Sequence, residues 1–377
     1  MKKQKFGTIF FSISVFGLLS ATGLATFFGS QKTFSENENR YLSKLSDIDW
    51  KEIKSGKVQT TLTQIADDQF PYHDFWMQTS TEIKKLMGKQ DIGGVYFGKD
   101  HFYFEKILDS DFEEKRYYNN LRLVAAMQEK LGEQITTMLV PSPATIYKDK
   151  LPKYAVEYDS NQKYEQGKEI LGNENWLDIC TQLETESKQN QVYFQTDHHW
   201  TMSGAYIAYQ AFMEHLEQQV KPLEYFDLQE KSNSFYGTLY SKALDKNAIP
   251  DTLFIPENIP SDLQITCDGE NRESIYDMDK LTTKDKYAVF FGGNYGITQI
   301  MNPMGEKDET LVIIKDSFAN CLVPMLIEHY QKIIMLDLRY YNDSVSNLLS
   351  MEQNKTVLIL YEISNFAKET SLYKLMN

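Results

Sequence analysis

The chain has 377 residues, room for one elaborated α/β domain or for two domains, and enough for a sizeable core either way. Lys and Arg total 39 against 53 Asp and Glu, a formal net charge of -14, which speaks against a nucleic-acid backbone or an anionic lipid surface as the main partner. The three cysteines, Cys180, Cys267 and Cys321, are widely spaced and odd in number, so they predict small buried residues and neither a disulfide framework nor a zinc site.

A basic start, Met1-Lys2-Lys3-Gln4-Lys5, precedes a stretch from Phe6 to Phe28 without a charge. About 20 apolar residues rising 1.5 Å each cross a hydrocarbon layer of roughly 30 Å. Lysines ahead of such a helix stay cytoplasmic, which predicts a single-pass cell-membrane protein whose remaining chain is extracytoplasmic. A cleaved signal peptide is the rival reading, since Gly23-Leu24-Ala25 has small residues at suitable offsets, and it would make the protein secreted. The apolar run continuing through Phe27-Phe28 favours an uncleaved anchor over 1–28.

Residues 29–49 are polar and charged, including Ser35-Glu36-Asn37-Glu38-Asn39-Arg40, and are read as a stalk. From Trp50 to Lys89, apolar residues at helical spacing (Leu62, Ile65, Ala66, then Ile83, Leu86) predict two helices around a break at Phe70-Pro71, where proline interrupts the hydrogen-bond ladder. Gly93 to Asp100 reads as a hairpin. Tyr117, Leu121, Val124, Met127 and Leu131 form a helical stripe that leads into a strand over 134–140, closed by Pro141-Ser142-Pro143.

Further strands are expected at 191–195, 288–291, 311–314, 333–336 and 357–360, with helices after several of them. Buried runs alternating with helices predict an α/β fold: a mainly parallel sheet with helices on both faces. The alternation lapses over 221–286, read as an insertion bordering the site within a catalytic domain over 50–377, with Tyr236 as a substrate contact.

The chemistry concentrates at two strand ends. Thr196-Asp197-His198-His199-Trp200 follows an expected strand and holds two of the six histidines. An Asp two residues before a His can reach imidazole Nδ1 and set the tautomer, leaving Nε2 as a base. The run Leu311-Val312-Ile313-Ile314-Lys315-Asp316-Ser317-Phe318 puts Ser317 at a strand-to-helix turn, with a helix expected over 318–330; such a hydroxyl is exposed, and backbone amides there can hold an oxyanion. An unassisted hydroxyl is a weak nucleophile, and Asp197 with His199 is the pair that could activate it.

Phe290-Phe291-Gly292-Gly293-Asn294 follows another expected strand; Gly293 N–H and the Asn294 amide, with Ser317, are candidate oxyanion donors. His198, Trp200, Arg339 and Tyr340 are candidate substrate contacts, and the choice of His198 or His199 as base stays open. Each has a plain structural alternative: Trp200 as a buried wall, Arg339 as a loop anchor paired with Asp337, Gly292-Gly293-Asn294 as a simple turn. Adjacent side chains at 197–199 cannot all face one ion from an extended strand, so neither a metal nor a cofactor is expected.

Thr196 to Trp200 resembles the signature of the DHHW family of surface proteins, which is similar in turn to SGNH-like alginate O-acetyltransferases: their Asp-x-His-Trp motif matches Asp197, His199 and Trp200, and their later Asp-Ser-Phe motif matches Asp316, Ser317 and Phe318. Blocks at 35–40, 68–71, 95–100, 140–141, 236–242, 337–341 and 361–366 extend the likeness over nearly the whole exported chain. The resemblance implies a permuted SGNH-hydrolase-like fold, because the acid and histidine precede the serine, and an Asp197, His199, Ser317 catalytic triad. It implies an O-acetyltransferase, or an acetylesterase, working through an acyl-serine on a cell-surface polysaccharide, beside a membrane-bound O-acyltransferase partner; the acyl donor stays open. Lys315 departs from it, standing where SGNH enzymes place glycine, and so does His198, where the alginate branch has a small or polar residue. A non-catalytic polysaccharide-binding or scaffold subunit is the competing expectation.

Overall fold

The structure, a computed structural model, describes residues 2–131 and 135–376. It separates into a unit of residues 93–240 with 248–376 and a smaller unit of residues 2–92 with 241–247.

A seven-stranded sheet organises the larger unit. Its strands in chain order are β1 (Ile135–Val140), β2 (Gln264–Cys267), β3 (Glu270–Arg272), β4 (Ile297–Met301), β5 (Lys307–Lys315), β6 (Tyr330–Leu336) and β7 (Lys355–Glu362), laid side by side as β3-β2-β4-β6-β5-β7-β1. The apolar runs alternate between two cores, as the two-residue period of a strand dictates. Leu311, Ile313, Leu358 and Leu360 enter one core; Val312, Ile314, Val357 and Ile359 enter the other. Helix Met202–His215 covers the first face through Ala205, Tyr209 and Phe212. Helix Glu114–Leu131 covers the second through Tyr117, Leu121, Val124 and Met127, the stripe expected from the sequence.

Helices on both faces are therefore observed, but the sheet is mixed and not mainly parallel. Strands β6, β5, β7 and β1 are parallel neighbours, whereas β4, β2 and β3 continue the sheet antiparallel. For β2 and β3 the cause is a short connection. Asp268 and Gly269, both at positive φ, turn β2 directly into β3, and a tight turn can join only antiparallel strands.

Three expected elements also differ. Residues 191–195 make only an isolated bridge between Tyr193 and Trp200, and 288–291 fall in a 3-10 turn (Lys286–Val289) followed by Phe291, Gly292 and Gly293 at positive φ. The helix after Ser317 stops after Ala319–Leu322, because Pro324 cannot continue the ladder. The strand over 134–140 is seen from Ile135, Gln134 lying outside the described residues, and the hairpin pairs Val95–Phe97 with Tyr103–Glu105.

The four parallel strands end along one edge, with Lys315 beside Leu360 and Glu362 beside Val140. Ser317 follows β5 at that edge, where the strand ends of open α/β sheets gather ligand-binding groups.

In the smaller unit, helix Lys2–Phe28 contains a segment, Ile9–Phe28, long and apolar enough to cross a membrane. Helices Lys57–Asp68 and His73–Leu86 flank the break at Phe70-Pro71 as expected. Phe27 packs on a small core of Ile48, Val58 and Ile65, and Asp68 accepts from Arg40 and from the Ser43 N–H, both at 2.7 Å.

Candidate active site

The Thr196 to Trp200 segment is held as a tight loop. Phe194 N–H donates to the His199 carbonyl at 3.1 Å, and Thr201 N–H to the Val192 carbonyl at 2.9 Å. From beneath, the Asp251 carboxylate accepts from Gln195 N–H, Thr196 N–H and the Thr196 hydroxyl at 2.6–2.8 Å. The loop reaches the end of β5, where His199 Nε2 lies 2.8 Å from Ser317 Oγ and His199 Nδ1 lies 2.6 Å from Asp197 Oδ1. A carboxylate only accepts, so Nδ1 carries the proton and Nε2 is left to accept from the serine hydroxyl. His199 and not His198 is the histidine touching the serine.

The Asp197 carboxylate is saturated with donors. Oδ1 also accepts from His199 N–H at 3.0 Å, and Oδ2 accepts from Thr238 N–H and the Thr238 hydroxyl at 2.8 and 3.0 Å. Burial alone would raise its pKa; the adjacent His198 and His199 and the hydrogen bonds from His199 and Thr238 instead hold it well below the usual carboxylate range. Thr238 comes from a corner docked on the loop, where Leu239 and Tyr240 N–H groups donate to the Thr196 carbonyl. Its neighbour Gly237 is a glycine because a Cβ there would land on the Asp197 carboxylate.

His198 follows from the same hydroxyl. Thr238 Oγ1 spends its one proton on Asp197, so it accepts from His198 Nδ1 at 2.7 Å and leaves His198 Nε2 unprotonated. Burial and the neighbouring His199 push the His198 imidazole down to about 4. Tyr287 lies flat against the His199 ring, centroids 3.8 Å apart and 10° from parallel, while its hydroxyl donates to the Ser317 carbonyl at 3.0 Å. One tyrosine thus braces both the imidazole and the serine turn. Asp197, His198 and His199 present ligand-type atoms within 4.8 Å of one another, but both carboxylate oxygens and both Nδ1 atoms are engaged in the bonds above.

The DHHW protein family profile matches residues 67–336. The chain belongs to the DHHW family. It is similar to the probable alginate O-acetylase AlgJ of Pseudomonas putida, 26% identical over 223 residues covering 56% of this chain and 54% of that protein. A second AlgJ, from Pseudomonas syringae pv. tomato, is 24% identical over 182 residues, 46% of each chain. The chain thus spans about half the length of the curated relatives it matches. Among solved structures, a DHHW family protein from Eubacterium siraeum superposes with a TM-score of 0.63 at 23% identity over 76% of this chain and 96% of that one. Bacillus cereus PatB1 with a sulfonyl adduct gives 0.60 at 18% identity over 74% and 99%. These likenesses establish a shared fold.

The other expected site residues of this DHHW protein divide. Trp200 is completely buried and donates Nε1 to the Phe318 carbonyl at 3.0 Å; it is a strut beneath the serine turn, and the expectation that it contacts substrate is corrected. Arg339 forks onto Asp337 at 2.8 and 2.5 Å and lies over the exposed Tyr340 ring, the loop-anchor arrangement. Tyr236 is half-buried against Tyr240, with Lys284 over both rings.

Gly293 has φ 138, a conformation that needs glycine although a Cβ would meet nothing within 4 Å. Asn294 is fixed by the residue that departs from the SGNH pattern. Lys315, 2% exposed, donates to Asn294 Oδ1 at 3.0 Å and Asn320 Oδ1 at 2.8 Å, and Asn320 Nδ2 reaches Asn294 Oδ1 at 3.2 Å. Two donors hold Oδ1 inward, which turns the Asn294 amino group outward. Burial pulls the Lys315 ammonium down to about 8 against the pull of Asp337 and Asp316. Asp316 is likewise structural, accepting from Phe318 N–H, Glu362 N–H and Asn365 Nδ2, each at 2.9 Å.

Thr238, Tyr287 and Asp251 were not expected as site residues. The block at 236–242 held the one available signal, a threonine following a glycine; nothing local marks the other two.

Proposed function

We propose that this DHHW protein is an extracytoplasmic serine O-acetyltransferase acting on a cell-surface polysaccharide, held to the membrane by the helix within residues 1–28. The observation that carries the reading is the unbroken chain from Asp197 through His199 to Ser317, at 2.6 and 2.8 Å. Relatives named as alginate O-acetylases support the reaction class, and the PatB1 structure with a sulfonyl adduct supports covalent chemistry on this fold.

In this reading Ser317 Oγ attacks an acetyl carbonyl while His199 Nε2 takes its proton. The ionised Asp197 stabilises the imidazolium. The tetrahedral oxyanion is held by the Ser317 and Gly293 N–H groups and the Asn294 amino group, each donor contributing about 10²- to 10³-fold. Collapse expels the donor's leaving group, which receives the proton from His199. A sugar hydroxyl then attacks the acetyl-serine, giving its proton to His199, and Ser317 is regenerated; water in its place gives an acetylesterase. A membrane-bound O-acyltransferase would supply the acyl group from across the bilayer.

Labelling full-length protein with a fluorophosphonate, followed by peptide mass spectrometry, tests the proposal. An adduct on Ser317, slowed far more by His199→Ala than by His198→Ala, is expected. A folded protein that takes no label and still supports surface acetylation as Ser317→Ala would instead be a scaffold subunit.

A further inference from the structure

A small pocket is lined by Glu105, Ile107, Ser142, Pro143, Ala144, His198, Leu239, Glu362, Ser364 and Asn365. Its volume is about 20 Å³, close to the roughly 10–15 Å³ that one water-sized group requires. Glu362 ends β7, and its backbone N–H is tied to Asp316, the residue before Ser317.

The polar wall is unevenly satisfied. Glu362 is 5% exposed; its Oε2 accepts from the Ser364 hydroxyl at 2.5 Å and Asn365 N–H at 2.9 Å, while Oε1 is buried with no partner among the described residues. A buried acceptor left unmatched costs about 1–3 kcal/mol, so a protein that keeps one in a pocket is suited to a ligand that donates. The second polar wall is His198, whose Nδ1 proton is already committed to Thr238, so its remaining nitrogen can only accept. A space for one oxygen bordered by acceptors suits an O–H donor, whose single proton goes to Glu362 Oε1 while His198 lines the same pocket.

We infer that this pocket is a hydroxyl-binding subsite, in which Glu362 accepts from one alcohol group of a carbohydrate beside His198. As the acceptor subsite it rests on the acyl-transfer reading; as a hydroxyl-binding pocket it does not. Burial lifts the Glu362 carboxyl to about 7 against the bonds from Ser364 and Asn365, so it accepts from a ligand as the carboxylate above that pH.

Full-length protein is incubated with p-nitrophenyl acetate and methyl α-D-glucopyranoside, and the ratio of acetylated glucoside to free acetate is measured, so that a general loss of serine activation cancels. Glu362→Gln, which presents an amide in place of the carboxylate, and Ala144→Leu, which fills the pocket from another lining residue, should each lower the ratio at least tenfold. An unchanged ratio in both, with melting temperatures near wild type, overturns the subsite. If the wild type releases no nitrophenol, the acyl-transfer reading fails instead, and saturation-transfer NMR of the glucoside on Ser317→Ala protein still reads the pocket. A signal reduced at least fivefold by adding Glu362→Gln supports it; an undiminished signal, or none, overturns it.

Discussion

Thr238 gives Asp197 Oδ2 both of its hydrogen bonds, one from the backbone N–H at 2.8 Å and one from the hydroxyl at 3.0 Å. The acid that orients His199 is thereby anchored to a corner about forty positions away in sequence, and the same hydroxyl sets the His198 tautomer.

Replacing Thr238 by Val keeps the shape and the N–H but removes the hydroxyl. A hydrogen bond to a charged group contributes about 1.5–3 kcal/mol, so labelling of Ser317 should slow by about 10- to 100-fold. Thr238→Ser should recover most of the rate. A Val variant that labels as fast as wild type would show that the backbone N–H alone suffices.

Gly237→Ala drives a methyl into the Asp197 carboxylate. Overpacking of this kind costs about 1–3 kcal/mol, and here it also displaces the acid. Urea denaturation should show the loss of stability and labelling kinetics the loss of reactivity. Gly269→Ala, at a hairpin turn where a Cβ meets nothing within 4 Å but φ is 85, should cost stability and leave reactivity in place.

Lys315→Met removes the ammonium that holds Asn294 Oδ1 and Asn320 Oδ1. Slower labelling of Ser317 without loss of the fold is expected, because the Asn294 amide is freed to rotate. The wild type should also gain stability relative to this variant as pH rises from about 8 to 10.5: in that window the unfolded lysine binds more protons than the folded one. Parallel pH profiles for the two proteins would refute the buried charge.

Glu362 predicts the opposite slope in another window. Its folded pKa is raised from 4.5 to about 7, so the folded state holds more protons than the unfolded one between those values. Its contribution is complete below about pH 4.5 and is lost as pH rises through 7, by about 3 kcal/mol. Glu362→Gln should remove that decline and be the more stable protein at pH 8, which chemical denaturation at pH 5 and pH 8 would reveal. A variant with the wild-type slope would count against a buried, proton-holding carboxyl.

Much of the architecture was legible from local pattern. The apolar runs of β1, β5, β6 and β7 can only be buried strands, the stripe from Tyr117 to Met127 can only be one helix face, and proline marked the break before His73. The antiparallel half of the sheet was harder to see because its strands are short and mostly polar. Glu270–Arg272 is exposed throughout, and only the alternation of Gln264, Ile265, Thr266 and Cys267 in β2 carried a strand signal.

Residue identity and position by themselves determined that an acid-histidine loop and a serine turn exist and which residues they hold. Tertiary structure alone decided that His199 and not His198 meets Ser317, that Trp200 is a buried strut, that Lys315 locks Asn294, and that Thr238, Tyr287 and Glu362 surround the site. The physical reason is range. Periodicity and turn chemistry act within a few residues, whereas a hydrogen bond between groups 41 or 118 positions apart leaves no local mark and forms only after two hydrophobic cores have brought the strand ends to one edge.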